Sequence, residues 1–156
     1  MSNVAFMQRA VALAREKMHD NNGGPFGAVI VRDGKIIAEG WNEVTSTNDP
    51  SAHAEMVAIR RACAALNAFD LPDCDIFASC EPCPMCLGAI YWARLRRIYY
   101  ANTRQEAAQI GFDDALIYRE IGLPPASRTI PAIQLMTPDA DKPFLEWASK
   151  GDKVRY

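Results

Sequence analysis

Long apolar runs are missing from this sequence. None approaches the roughly 20 residues that a membrane span requires, so no membrane association is expected. The first residues, Met1-Ser2-Asn3-Val4, lack the charged start and apolar middle of a secretory signal. A basic excess is lacking too: net charge is −2 and the pI about 5.7. That balance disfavours a polyanionic ligand, so nucleic acid is not expected as a partner and a small uncharged substrate is. Cysteines number five, an odd count with two close spacings, which fits reduced thiols and a metal site better than a disulfide frame. Reduced thiols point to the cytoplasm. No internal repeat or linker divides the 156 residues, a length that fits one domain with a real core.

The glycine run Gly23-Gly24-Pro25-Phe26-Gly27 lacks both a following helix and a Lys-Ser/Thr pair, which argues against a phosphate loop. It leads instead into Ala28-Val29-Ile30-Val31, and Asp33-Gly34 then turns the chain into Lys35-Ile36-Ile37-Ala38, a strong hairpin signal. Ahead of the hairpin, Ser2 caps a helix on which Val4, Met7, Val11, Ala14 and Met18 recur at helical spacing. A polar loop from Glu43 to Ser51 precedes a second helix, from His53 to about Leu66, with Met56, Ile59, Cys63 and Leu66 on one face. A buried strand at 75–79, a third helix at about 84–93 and a strand at 97–101 follow. The segment 102–132 carries helical patterns near 105–110 and 115–121, and a last strand is expected at Ile133 to Met136. Asp141 then starts a final helix, with Pro143 in its first turn and Gly151 past its end. This alternation predicts an α/β/α sandwich with a five-stranded mixed sheet, largely parallel and opened by the hairpin, and with the second and third helices on one side.

Chemistry concentrates at His53-Ala54-Glu55 and Cys80-Glu81-Pro82-Cys83-Pro84-Met85-Cys86. Cys83 and Cys86 are three apart and so project from one helix face. Pro84 suits the first helical position, which makes Cys83 the N-cap, where the helix dipole favours the thiolate. His53 and Glu55 are two apart and can share a site only if His53 stands at the very start of its helix. Zinc held by His53, Cys83 and Cys86 keeps one position for water, and Glu55 is placed to move that water's proton. Two other readings stand beside this one. Cys80 could complete a Cys₃His structural site, giving a zinc module without chemistry. Tyr91-Trp92 with Arg94-Leu95-Arg96-Arg97 is either a nucleic-acid patch or a helix end with an aromatic subunit interface, and the low pI favours the second.

His-x-Glu followed by Pro-Cys-x-x-Cys is the mark of zinc-dependent nucleobase deaminases. On these residues the chain resembles the cytidine deaminase superfamily and, within it, the bacterial guanine deaminases. The likeness extends to residues 23–28, Asn48-Asp49-Pro50, residues 86–94, Gly111-Phe112-Asp113-Asp114 and the terminal Tyr156. The resemblance implies a cytidine deaminase-like three-layer fold with one zinc per chain. It implies hydrolysis of guanine to xanthine and ammonia, with water activated at the open zinc position attacking C2 and Glu55 shuttling protons. It implies Asp114 as a second proton-handling carboxylate, and it places Phe26, Asn42, the Ala54 backbone, Trp92 and Tyr156 at the substrate. It also implies a homodimer that exchanges the C-terminal segment, about 141–156. Other bases remain open within the same superfamily: adenosine in transfer RNA, cytosine, or a guanine-like triazine.

Overall fold

The computed structural model describes residues 2–156 and divides into two compact units, Met1–Asp114 and Ala115–Tyr156. The first carries the sheet. Its elements are α1 (Asn3–His19), β1 (Gly27–Arg32), β2 (Lys35–Trp41), a short α2 (Val44–Thr47), α3 (Ala54–Leu66), β3 (Asp75–Cys80), α4 (Pro84–Trp92), β4 (Arg97–Asn102) and α5 (Arg104–Gln109). Ser2 caps α1 by accepting from the Ala5 amide, as expected. Asp33 and Gly34 both take positive φ, 49° and 71°, which is the backbone a two-residue hairpin turn needs.

Four strands in the order β2-β1-β3-β4 make a mixed sheet. Only β3 and β4 pair in parallel; β1 is antiparallel to both its neighbours, so β2, β3 and β4 share one direction. Three of the four strands run one way, as expected of a mixed sheet opened by a hairpin, but β1 lies between β2 and β3, so only one neighbouring pair is parallel. Alternation of strands and helices signals crossovers, but the segment from β2 to β3 returns the chain antiparallel to β1, two strands away from its start. Helix placement follows expectation. Ala54, Ala58, Ile59 and Ala62 of α3 and Ile90 of α4 share one core with Ala28, Ile30, Ala38 and Ile76. Phe6 and Leu13 of α1 pack on Val29, Val31 and Phe77 on the opposite face.

Both helix layers touch the hairpin through a glycine and two alanines. A methyl on Gly27 would lie 2.3 Å from the Ala10 carbonyl oxygen and 2.7 Å from the Ala14 nitrogen. One on Gly40 would lie 2.2 Å from the Ala54 oxygen and 2.5 Å from the Ala58 nitrogen. These approaches correct the buried face of α1, which is Phe6, Ala10, Leu13 and Ala14, while Val4 is exposed. Both stripes have helical spacing; the small residues that admit the strand backbone decide between them.

The second unit holds α6 (Ala115–Ile121), a 3₁₀ turn at Pro125–Ser127 and α7 (Lys142–Ser149), with Pro143 in the first turn of α7. None of its residues is buried. The fifth strand expected at Ile133 to Met136 does not form: this stretch is irregular, and Ile133, Leu135 and Met136 are exposed. Its apolar composition reads as a strand, but a strand needs a neighbour to take its backbone hydrogen bonds. Among the described residues the sheet stops at four.

Candidate active site

Two helix N-termini meet at the chemistry. His53 is the N-cap of α3 and Cys83 the N-cap of α4, both with extended backbone, ψ 157° and 168°. Pro84 opens α4 and puts Cys86 one turn on, fully buried. Since His53 has not yet joined the helix, its ring and the Glu55 side chain can face one point despite being two residues apart. The His53 Nδ1, Cys83 Sγ and Cys86 Sγ atoms lie within 4.8 Å of one another, and Nδ1 is 3.5 Å from each sulfur. Tetrahedral zinc with ordinary bond lengths separates a nitrogen and a sulfur ligand by about 3.6 Å. The spacing fits that ion.

Charge makes the same case. A hydrogen bond from the Cys86 thiol is the largest cause holding the Cys83 thiol down, to about 4, and His53 adds to it against the opposing effect of burial. As the donor in that bond, Cys86 is pushed up, and burial and the Glu55 charge push it further. One thiolate and one thiol thus share a proton here, and both could ionise only with a cation between them, which zinc would provide. Cys80 takes no part. Its Sγ donates to the Thr103 carbonyl at 3.7 Å, and burial raises its thiol to about 11. Three protein ligands leave a position open for water.

Glu55 is buried in the first turn of α3, with the Cys86 thiol 3.5 Å from its carboxylate. Burial raises its pKa above the ordinary carboxylate value, with the Cys83 charge reinforcing and His53 opposing. Asp114 is half-buried and also raised, by burial first, with Arg104 opposing and the Cys83 charge reinforcing. It therefore lies within electrostatic reach of the thiolate.

The remaining expected residues divide. Asn42 follows β2 and is buried; its Oδ1 accepts from the Gly24 and Val44 amides, both at 3.2 Å. Those bonds fix the carboxamide with its NH₂ left to donate. Ala54 is the first residue of α3, so its amide has no acceptor within the helix. Phe26 lies across from Asn42, whose amide donates to the Phe26 carbonyl at 3.1 Å. Phe112, which residue patterns alone do not single out, meets the Phe26 ring edge-on at 4.9 Å. Its position between Gly111, at φ 95°, and the two aspartates was the available signal. Trp92 is not brought to this cluster within its own chain. It ends α4, roughly 12 Å along the axis from Pro84, and is 68% exposed. A helix that aims its N-terminus at the metal carries its last residue away from it. Tyr156 ends the second unit and is exposed.

Residues 1–102 match the family described as cytidine and deoxycytidylate deaminase zinc-binding region. The chain is 53% identical to guanine deaminase of Bacillus subtilis over 156 residues, all of both chains. It superimposes on a solved structure of guanine deaminase from that organism with a TM-score of 0.98, covering 100% of this chain and 99% of the other. It is 45% identical to a transfer-RNA-specific adenosine deaminase of Agrobacterium fabrum over 95 residues, 61% of this chain and 62% of that one.

The metal assignment makes a direct prediction. Cys80→Ser is expected to keep one zinc per chain after gel filtration, and Cys86→Ser to lose it. Zinc lost from the Cys80 variant, measured by atomic emission, would return Cys80 to the ligand set.

Proposed function

The chain belongs to the cytidine and deoxycytidylate deaminase family, and we propose that it is a guanine deaminase, converting guanine and water to xanthine and ammonia. The observation that carries the choice of base is similarity to a guanine deaminase along all 156 residues, the second unit included. The likeness to the transfer-RNA enzyme spans only 95 residues.

His53, Cys83 and Cys86 would hold zinc, which when bound would supply the Lewis acidity that makes water a nucleophile near neutral pH. The chain's own groups do the rest. Glu55 takes one proton of the attacking water and passes it to a ring nitrogen of the base; it then takes the second, from the hydroxyl now on C2, and gives it to the amine, which leaves as ammonia as the C2 carbonyl forms. Asp114 serves as a second proton-handling carboxyl beside the thiolate. Phe26, with Phe112 against it, offers the flat base an aromatic face. The Asn42 NH₂ and the Ala54 amide are both donors, so the edge they hold must carry acceptors. Guanine presents O6, N7 and N3; adenine replaces the oxygen at C6 with an amine that only donates.

The active form in this reading is a homodimer whose C-terminal segments, about 141–156, are exchanged so that Tyr156 closes the partner's pocket. Support comes from the second unit: Phe144 and Leu145 on α7 and Ile130, Ile133 and Leu135 before it are all more than 60% exposed. So much apolar surface calls for a partner. A cytoplasmic setting completes the reading, since the site needs two reduced thiols and all five cysteines are free.

Glu55→Gln is expected to retain zinc and lose guanine turnover by roughly 10²–10⁴-fold, with ammonia release from cytosine, adenine and an RNA hairpin low in the unmodified enzyme. Turnover of cytosine or the hairpin above that of guanine would move the assignment to another branch of the family. Deleting Val154 to Tyr156 should abolish guanine turnover while zinc content and circular dichroism stay unchanged. A truncated enzyme with full activity would remove the closing role of Tyr156.

A further inference from the structure

Arg61 lies six residues after Glu55 on α3, outside the zinc cluster, yet its guanidinium is committed to three residues that bracket Asn42. One arm donates to the Glu39 carbonyl at 3.0 Å and the other to the Glu43 carboxylate at 2.6 Å. Its central carbon lies 4.2 Å from the centroid of the Trp41 ring. Residues 39, 41 and 43 alternate with 40 and 42. A clamp on the odd positions therefore fixes the even ones: Gly40, where α3 touches β2, and Asn42, whose carboxamide oxygen is held by the Gly24 and Val44 amides with its NH₂ left to donate.

Other cations hold this edge as well, and the comparison shows what Arg61 adds. From α1, Arg9 grips the Glu39 carboxylate through two bonds of 2.7 and 2.8 Å, and Lys17 lies 4.7 Å from the Trp41 ring centroid. The Trp41 indole nitrogen is buried without a hydrogen-bond partner, so cations over its face and packing hold the ring. Arg9 and Lys17 thus suffice to pin the strand to α1. Arg61 differs in two respects: it comes from the helix that carries His53 and Glu55, and it reaches past Asn42 to Glu43. The Glu43 amide in turn donates to the carbonyl of Ala52, the residue before His53, at 2.9 Å.

We propose that Arg61 is a positioning residue for substrate. From the helix that bears the catalytic carboxylate, it clamps Glu39, Trp41 and Glu43 and so sets the distance of the Asn42 carboxamide from Glu55 and the metal ligands. The proposal rests on the reading of Asn42 as a substrate donor. A charge-assisted fork of this kind holds geometry that a lysine, with a single ammonium, cannot reproduce.

The test is steady-state guanine kinetics of the zinc-loaded enzyme as Arg61→Met, Arg61→Lys, Asn42→Ala and the Arg61→Met/Asn42→Ala double variant, with zinc content and melting temperature measured on each. Arg61→Met is expected to raise KM about tenfold with kcat within about twofold, the signature of lost ground-state positioning. Arg61→Lys should fall between it and the unmodified enzyme, and it carries the comparison if the methionine variant does not fold. In the Asn42→Ala background, Arg61→Met should change KM by less than about twofold, because both act through one hydrogen bond. An unchanged KM in both Arg61 variants, or effects that multiply in the double variant, would overturn the proposal and leave Asn42 in its role. An unchanged KM in Asn42→Ala would instead remove Asn42 from the substrate, and Arg61 with it.

Discussion

Gly40 brings α3 so close to β2 that a methyl on it would fall within 2.2 Å of the Ala54 carbonyl oxygen. The contact sits at the first turn of the helix, next to His53 and Glu55. His53 and Glu55 inherit their position from there. Asn42 follows two residues after Gly40, where the Gly24 and Val44 amides hold its carboxamide oxygen. Gly27 makes the matching approach to α1 on the opposite face, and it pairs with Trp41 in the hairpin register. The hairpin is thus gripped from both sides at neighbouring positions.

Against this frame α4 presents its own N-terminus, so the two helix dipoles point their positive ends at one place. That arrangement favours anions, and the residues supplied are two thiols and a carboxyl. The first thiolate is stabilised by its neighbours. The second and the Glu55 charge are not, because each is buried beside the Cys83 thiolate. Zinc resolves the surplus of negative charge in the ligand shell, while burial keeps Glu55 able to carry a proton. Cys80 escapes the shell because it ends β3, with its thiol on the Thr103 carbonyl.

Much of the site was legible because its signals are local. Pro84 after Cys83 declares an N-cap, and the two-residue gap from His53 to Glu55 excludes a helix-interior histidine. Asp33-Gly34 declares the hairpin. What could not be read depends on partners distant in sequence. The burial of Phe6, Ala10 and Leu13 in preference to Val4 and Val11 follows from the approach of Gly27, which no periodicity in α1 encodes. The alternating pattern gives strand directions but not which strands become neighbours, so it did not reveal that β1 would lie between β2 and β3 and leave one parallel pair. Ile133 to Met136 has strand composition and no edge to join. Phe112 and Arg61 matter through contacts with Phe26 and with the residues around Asn42, made across 86 and 18 to 22 positions of chain respectively.

The central claim is that two opposed N-caps and one helix-turn cysteine hold zinc with a position open for water. X-ray absorption at the zinc edge of the unmodified enzyme tests it most directly. Two sulfurs and two lighter nitrogen or oxygen neighbours are expected, in keeping with three protein ligands and a water. Three sulfurs would contradict it, because Cys80 would then close the shell and leave no place for the reacting water.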